Sequence, residues 1–293
     1  MFCDFVTTTH GKWILAGEHA VLRGHGALVF PIKSRKLTLS YRPADTELSA
    51  DFSGESGNDM HLLFWSVLEH GQHLLGHSLN QLTGHFHIES NIPIGVGMGA
   101  SAALCVAMAR WFAAQNLIPT HSISLFAQDL ENLFHGQSSG LDIIGVAATT
   151  GLYFQQSQAS FITQTWQPKW YLSSCGQVGI TSHCINQVNI LWEANEDEAR
   201  AIDIAMQQAV NKAKASLESR STNSLSLLKE AINESAHCFK SWGLVSENLS
   251  QHMHLLLTQG ALATKPTGSG GGGYVISLWE TTPPSMPFEL IAV

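Results

Sequence analysis

Residues 93–102 read Pro93-Ile94-Gly95-Val96-Gly97-Met98-Gly99-Ala100-Ser101-Ala102, three glycines at alternate positions running into a small, apolar, helix-like stretch. Without a Cβ, glycine lets the backbone curl and turn several N–H groups toward one point. The helix that follows adds free amides and the positive end of its dipole. A polyphosphate suits such a loop, although the glycines alone also read as a packing turn. No Gly-Lys-Ser/Thr follows them, so the loop is not a Walker A sequence. The preceding residues 84–92 alternate as a half-exposed strand does, unlike the buried parallel strand of a dinucleotide fold.

Two further stretches flank this loop in the chain. Near the start, Gly11-Lys12-Trp13-Ile14-Leu15-Ala16-Gly17-Glu18-His19-Ala20-Val21 is an apolar strand with a lysine at its head and a Glu-His pair at its foot. A solvated strand end is the plain reading of Lys12. Near the end comes Lys265-Pro266-Thr267-Gly268-Ser269-Gly270-Gly271-Gly272-Gly273-Tyr274. It reads as a flexible linker or as a second phosphate- or substrate-side loop. Its place between an apolar helix-like segment and a strand favours the loop.

In this order the three stretches resemble motifs one, two and three of the GHMP kinase superfamily, which includes galactokinases, homoserine kinases, mevalonate kinases and phosphomevalonate kinases. The resemblance covers nearly the whole chain. It implies an α+β, two-domain GHMP kinase fold with ATP as co-substrate and Mg²⁺ as cofactor. The N-terminal domain would be ribosomal-protein-like, over residues 1–166, and the C-terminal domain ferredoxin-like, over 167–293.

The segment Glu131-Asn132-Leu133-Phe134-His135-Gly136-Gln137-Ser138-Ser139-Gly140-Leu141-Asp142 narrows the choice within the superfamily. Residues 122–134 have helical apolar spacing, with Ser122 as N-cap and Gly136 ending the helix. Glu131 then lies in the last turns, where the dipole disfavours a carboxylate. A bound cation compensates for that, and so does water at a surface. The pattern Glu-x-x-x-His-Gly-x-x-Ser-Gly-x-Asp, like the Gly-Glu-His-Ala-Val of the first stretch, is similar to the mevalonate kinase branch.

By that resemblance Pro93, Gly95, Val96, Gly97, Met98, Gly99, Ala100, Ser101 and Ala102 would hold ATP, and Ser101 and Glu131 would hold Mg²⁺. Asp142 would be the base facing the acceptor hydroxyl, with Lys12 beside it as a second catalytic and substrate-binding residue. Glu18, His19, Ser138, Ser139, Gly140, Thr181, Thr267, Gly268 and Ser269 would line the acceptor pocket. The implied acceptor is mevalonate, and a homodimer is a further expectation. Phosphoryl transfer asks for this kind of set, since positioning and charge neutralisation dominate it.

The sequence departs from the branch in three places. Residues 179–182 (Gly179-Ile180-Thr181-Ser182) lack the arginine or lysine expected before the Ser/Thr pair. The third stretch has Pro266 and Ser269 and ends in Tyr274. Residues 279–287, with three prolines, leave no room for the usual helix before the last strand, so one face of the second domain is expected to be thinly covered. Rival readings are another GHMP kinase, with a phosphomevalonate, sugar or homoserine acceptor, and a catalytically silent sensor of ATP and a metabolite.

A chain of 293 residues suggests about two domains. Only 13% of its residues are charged and the net charge is −8, so no basic footprint for nucleic acid is present. No apolar run reaches the ~20 residues that span a bilayer, and no secretory signal is expected at the start. Five scattered cysteines without C-x-x-C spacing suit a reducing cytoplasm. His70, His73 and His77 are spaced to share a helix face, which raises a zinc site as a minor alternative to ordinary surface histidines. His85 and His87 share one side of a strand and read as exposed. Residues 196–217 and 221–242 read as helices, and Ser246 caps a third that runs to Gly260.

Overall fold

The computed structural model describes residues 3–79, 82–135 and 138–293. The chain forms two compact units that are not contiguous in sequence. One gathers Met1–Lys12, Pro31–Ile94 and Met98–Ala148, and the other gathers Trp13–Phe30, Gly95–Gly97 and Thr149–Val293. Strands β1 (Phe5–Ala16) and β2 (Ala27–Glu47) contribute residues to both.

In the first unit β2 pairs antiparallel with β4 (Thr83–Ser90), Tyr41 opposite Phe86, and β3 (Ser49–Ser53) pairs parallel with β4. Strand β4 has the alternation its sequence predicts, with Phe86 and Ile88 turned into the core and His85 and His87 toward solvent. The two imidazoles are not idle, for each hydrogen-bonds one oxygen of Asp51 on β3, at 2.8 and 2.9 Å. Helix α1 (Gly57–Leu74) packs on β3 and β4, while α2 (Ala100–Ala114) packs against α3 (Ile123–His135) and α4 (Leu141–Ala147). An aromatic core of Tyr41, Phe64, Phe86, Trp111 and Phe112 joins sheet and helices.

Two local expectations change here, and a third is not reached. Helix α1 stops before His77, because Gly76 takes a left-handed backbone (φ 71°) and the N–H groups of Gly76 and His77 turn back to the carbonyls of His73 and Gln72. His77 therefore does not share the helix face of His70 and His73. Ser122 belongs to a 3₁₀ turn that leads into α3, and Gly136, expected to end α3, lies outside the described residues.

The second unit holds a four-stranded antiparallel sheet, β10 (Ile291–Ala292), β7 (Lys169–Ser174), β9 (Tyr274–Trp279) and β8 (Ala263–Thr267) in spatial order. Fourth, first, third, second is the strand order of a ferredoxin-like sheet. Helices α5 (Thr181–Ala194), α6 (Glu196–Glu218), α7 (Ser224–Ser241) and α8 (Glu247–Thr258) intervene between β7 and β8. The last three match the sequence reading closely, and the Ser246 hydroxyl accepts from Leu249 N as the N-cap of α8. Strands β5 (Leu152–Gln155) and β6 (Gln158–Phe161) form a hairpin whose first strand pairs with residues 27–29 of β2. Trp13 stacks on Phe30 in the core of this unit, and Trp170 meets both rings edge-on.

No helix stands between β9 and β10, as expected, but the face is not bare. Met286, Phe288 and Leu290 of the extended tail pack with α8 onto Val275, Trp279 and Tyr171. Phe288 lies 4.7 Å from the His252 ring, and His252 in turn meets Ser173 Oγ at 2.8 Å. Among the described residues no helix is long and apolar enough to cross a membrane.

Candidate active site

Within the first unit, the start of α2 and the middle of β1 are locked together. Lys12 N donates to Met98 O at 2.9 Å, and Thr9 Oγ1 donates to Ala103 O at 3.0 Å. Gly99 caps α2 with a left-handed backbone (φ 79°), and a Cβ there would lie 2.9 Å from both Lys12 Cγ and Val146 Cγ1. The absence of a side chain lets the Lys12 stem cross the helix start. Its ammonium meets Asp142 Oδ1 at 2.8 Å; Lys12 is 2% exposed and Asp142 33%. Asp142 lies in the first turn of α4, where the helix end favours a negative charge. Ser101 is half-buried in the first turn of α2.

Glu131 of α3 is 1% exposed. One carboxylate oxygen accepts from Ser138 Oγ, while Oε1 has no hydrogen-bond partner among the described residues. Burial, and next the charge of Asp142, push the Glu131 carboxyl up to about 7, against the opposing pull of Ser138 and Lys12. A buried carboxylate with an orphaned oxygen is under-neutralised, and a hard cation that takes oxygen ligands is the group it fits. The oxygens of Glu131, Asp142 and Ser101 have the donor chemistry for Mg²⁺, so the implied metal agrees with the residues present.

The loop before α4 holds itself in place. Ser138 accepts from Gly140 N, receives Gln128 Nε2 on its carbonyl at 2.7 Å, and gives its N–H to Asn132 Oδ1 at 2.8 Å. Ser139 Oγ accepts from Leu141 N at 3.2 Å. Ser138 and Ser139, expected to line the acceptor pocket, thus spend hydroxyl contacts on Glu131 and on the loop backbone.

The second unit carries its own polar cluster. Glu18, also expected at the acceptor, is buried, and its Oε1 lies 2.5 Å from Lys265 Nζ. Thr267 Oγ1 both accepts from Ile14 N and donates to Ile14 O, each at 2.9 Å. His19 has a left-handed backbone (φ 56°) and donates Nε2–H to Ser269 O at 2.8 Å. Burial drives the His19 imidazole down to about 4, so it is neutral at pH 7 and does not replace the basic residue missing before Thr181. Thr181, the first residue of α5, places Oγ1 3.3 Å from Ser269 Oγ. Arg23 forks onto the buried Asp203 of α6 through Nε and Nη2 and so anchors the turn after His19.

The run of glycines from 268 to 273 is a fixed loop and no linker. Gly271 N donates to Leu244 O, Gly273 N to Gln177 O, and Cys175 N to Gly273 O. The Gln177 side chain donates to Gly271 O at 3.1 Å and accepts from Ser246 Oγ at 3.2 Å. A Cβ on Gly179 would sit 2.4 Å from Gly270 O. Gly268 lies against Gly97, at the exposed tip of the middle loop, where Gly95 and Gly97 both have positive φ (77° and 83°). Sequence reasoning missed Lys265, Gln177 and Gly179. A lysine inside the apolar strand before the glycines was the available signal for Lys265; nothing local marked the other two.

Comparison with known proteins puts these clusters in context. Residues 63–151 match the GHMP kinases N terminal domain. The chain is 28% identical over 290 residues to a mevalonate kinase of Archaeoglobus fulgidus, covering 97% of this chain and 95% of that one. It is 27% identical over 297 residues to a mevalonate kinase of Pyrococcus abyssi, covering 91% and 86%. Among solved structures, L. major mevalonate kinase in complex with R-mevalonate superimposes with a TM-score of 0.79 at 20% identity, covering 96% of this chain and 90% of that one. The Methanococcus jannaschii mevalonate kinase gives 0.72 at 18% identity, covering 94% and 91%. The chain has the fold of these kinase structures.

Proposed function

We propose that the protein transfers the γ-phosphoryl group of ATP to the hydroxyl of mevalonate, forming phosphomevalonate and ADP. The observation that carries this reading is the Lys12–Asp142 pair beside a buried Glu131 with an orphaned oxygen, on a chain similar to mevalonate kinases over nearly its whole length.

Asp142 Oδ2 accepts the proton of the acceptor hydroxyl while Oδ1 stays on Lys12. Lys12 steadies the charge that builds on the transferred group. Glu131 and Ser101 would hold Mg²⁺, whose chemistry there would be charge neutralisation at the phosphates. Pro93 and residues 95–102 hold the nucleotide, the backbone N–H groups of the glycine turns and of the start of α2 facing its phosphates. Glu18, His19, Thr181, Thr267, Gly268 and Ser269 are, by the resemblance, acceptor-binding residues. Residues 1–166 as N-terminal domain, residues 167–293 as C-terminal domain, a cytoplasmic location and a homodimer complete the reading.

The test is coupled ADP release with Mg²⁺-ATP against mevalonate, phosphomevalonate, homoserine, galactose and shikimate. Selective turnover of mevalonate is the expected result. Turnover of another acceptor moves the substrate, and silence across the panel with ATP still bound overturns the kinase.

A further inference from the structure

We propose that Lys265 is a positioning residue for the acceptor side of this kinase, acting through Glu18 and His19; the proposal rests on the function given above. Lys265 is fully buried, with its Nζ 2.5 Å from Glu18 Oε1, 3.4 Å from Ile14 O and 5.1 Å from the centre of the Phe239 ring. A lysine is almost never enclosed so completely unless it is paired. Alternate residues of one strand and its continuation each hold one point of the segment 14–19. Lys265 takes Glu18, Thr267 takes Ile14 by two hydrogen bonds, and the carbonyl of Ser269 takes His19.

These contacts close a ring. From Lys265 an ion pair leads to Glu18, the peptide bond to His19, a hydrogen bond to Ser269, and the backbone returns to Lys265. His19 sits inside the ring on a left-handed backbone that a non-glycine residue keeps only when its surroundings over-determine it. The Phe239 and Trp242 rings close on its other side, at 6.1 and 5.3 Å. Ser269, whose hydroxyl faces Thr181, is placed by the same ring. Cutting the ring at Lys265 releases His19 and Ser269 together, while Lys12, Glu131 and Asp142 keep their own contacts.

The experiment compares E18Q/K265Q with E18Q/K265M. Both lack buried charge and share the same residue at 18, so any direct role of Glu18 cancels. Only the Gln-Gln variant retains a polar link across the ring. The expected result is a kcat/KM for mevalonate lower in E18Q/K265M by on the order of 10²-fold, the cost of a misplacement near 1 Å, with KM for ATP equal in the two. Equal acceptor kinetics, or losses shared equally by ATP and mevalonate, overturn the proposal.

A second readout needs no acceptor. Cys184 Sγ is buried 3.3 Å from Gly270 O, so its iodoacetamide alkylation, followed by peptide mass, reports the seating of the loop. Alkylation faster in E18Q/K265M than in E18Q/K265Q is expected, and equal rates overturn the positioning role. If the wild type does not phosphorylate mevalonate, the proposed function fails while the Cys184 rates still decide the role of Lys265.

Discussion

Lys12 in the first unit faces two carboxylates, Glu131 and Asp142, and one oxygen of Glu131 goes without a partner. Lys265 in the second unit faces Glu18, and the polar groups around that pair are consumed by hydrogen bonds to the Gly-rich loop and to β1. The first cluster sets two carboxylates against one ammonium and leaves Asp142 a third exposed, whereas in the second one buried lysine faces one buried carboxylate. An excess of buried negative charge suits a group that must receive a cation and a proton. A balanced buried pair holds a shape, and its residues do their work by where they put their neighbours.

The largest effect should come from opening the first cluster. Asp142→Asn removes the proposed proton acceptor and leaves the proposed nucleotide loop untouched, so kcat should fall by about 10²–10⁴-fold with ATP affinity unchanged. Equilibrium binding of a non-hydrolysable ATP analogue beside single-turnover kinetics checks both halves; weakened ATP binding with normal turnover contradicts the role.

Breaking the second cluster should show first in stability. Lys265→Met takes the ammonium away from the buried Glu18 carboxylate, and breaking a buried ion pair costs about 3–5 kcal/mol. Urea denaturation read by tryptophan fluorescence measures it, and a loss below ~1 kcal/mol, the scale of an exposed pair, would mean that water reaches Glu18. Gly179→Ala drives a methyl group into Gly270 O and should cost about 1–3 kcal/mol, visible in the same experiment.

The pH dependence sets the clusters against each other. The folded-state pKa of Glu131 is raised from 4.5 to about 7, so between these values the folded chain binds the extra proton and stability falls as pH rises. That of His19 is lowered from 6.5 to about 4, so in this window the unfolded chain binds the extra proton and stability rises with pH. From pH 4.5 to 6.5 the two slopes oppose. Glu131→Gln should unmask the rising slope and His19→Gln the falling one, in metal-free protein melted across that range. Parallel curves for wild type and both variants would show that neither group titrates as stated. The smallest effect concerns the metal: Glu131→Gln should shift the Mg²⁺ titration of activity to higher concentration, and an unchanged midpoint would remove Glu131 from the cation.

Much of this was written locally. Three glycines at 95, 97 and 99 announced a backbone that only glycine tolerates, and all three have positive φ. The uninterrupted stretch from Glu196 and the serine at 246 announced a long helix and a cap. What stayed hidden were partnerships across the chain. Glu18 and Lys265 are 247 residues apart, and no periodicity links them. Read alone, Glu18 was a carboxylate in a motif; only the fold shows a cation opposite it. Ser138 and Ser139 were hidden for a subtler reason. Hydroxyls in a loop serve a ligand or their own backbone equally well, and the spacing does not tell which.

The extended tail after Trp279 covers a sheet face without a helix. Pro283, Pro284 and Pro287 restrict the unfolded chain, so less conformational freedom is surrendered when Met286, Phe288 and Leu290 settle on α8 and the sheet. A helix of ordinary composition would fix more freely rotating residues to cover the same face. Measured as entropy, a proline-rich strap covers this face at a smaller conformational loss than a freely rotating segment of the same length.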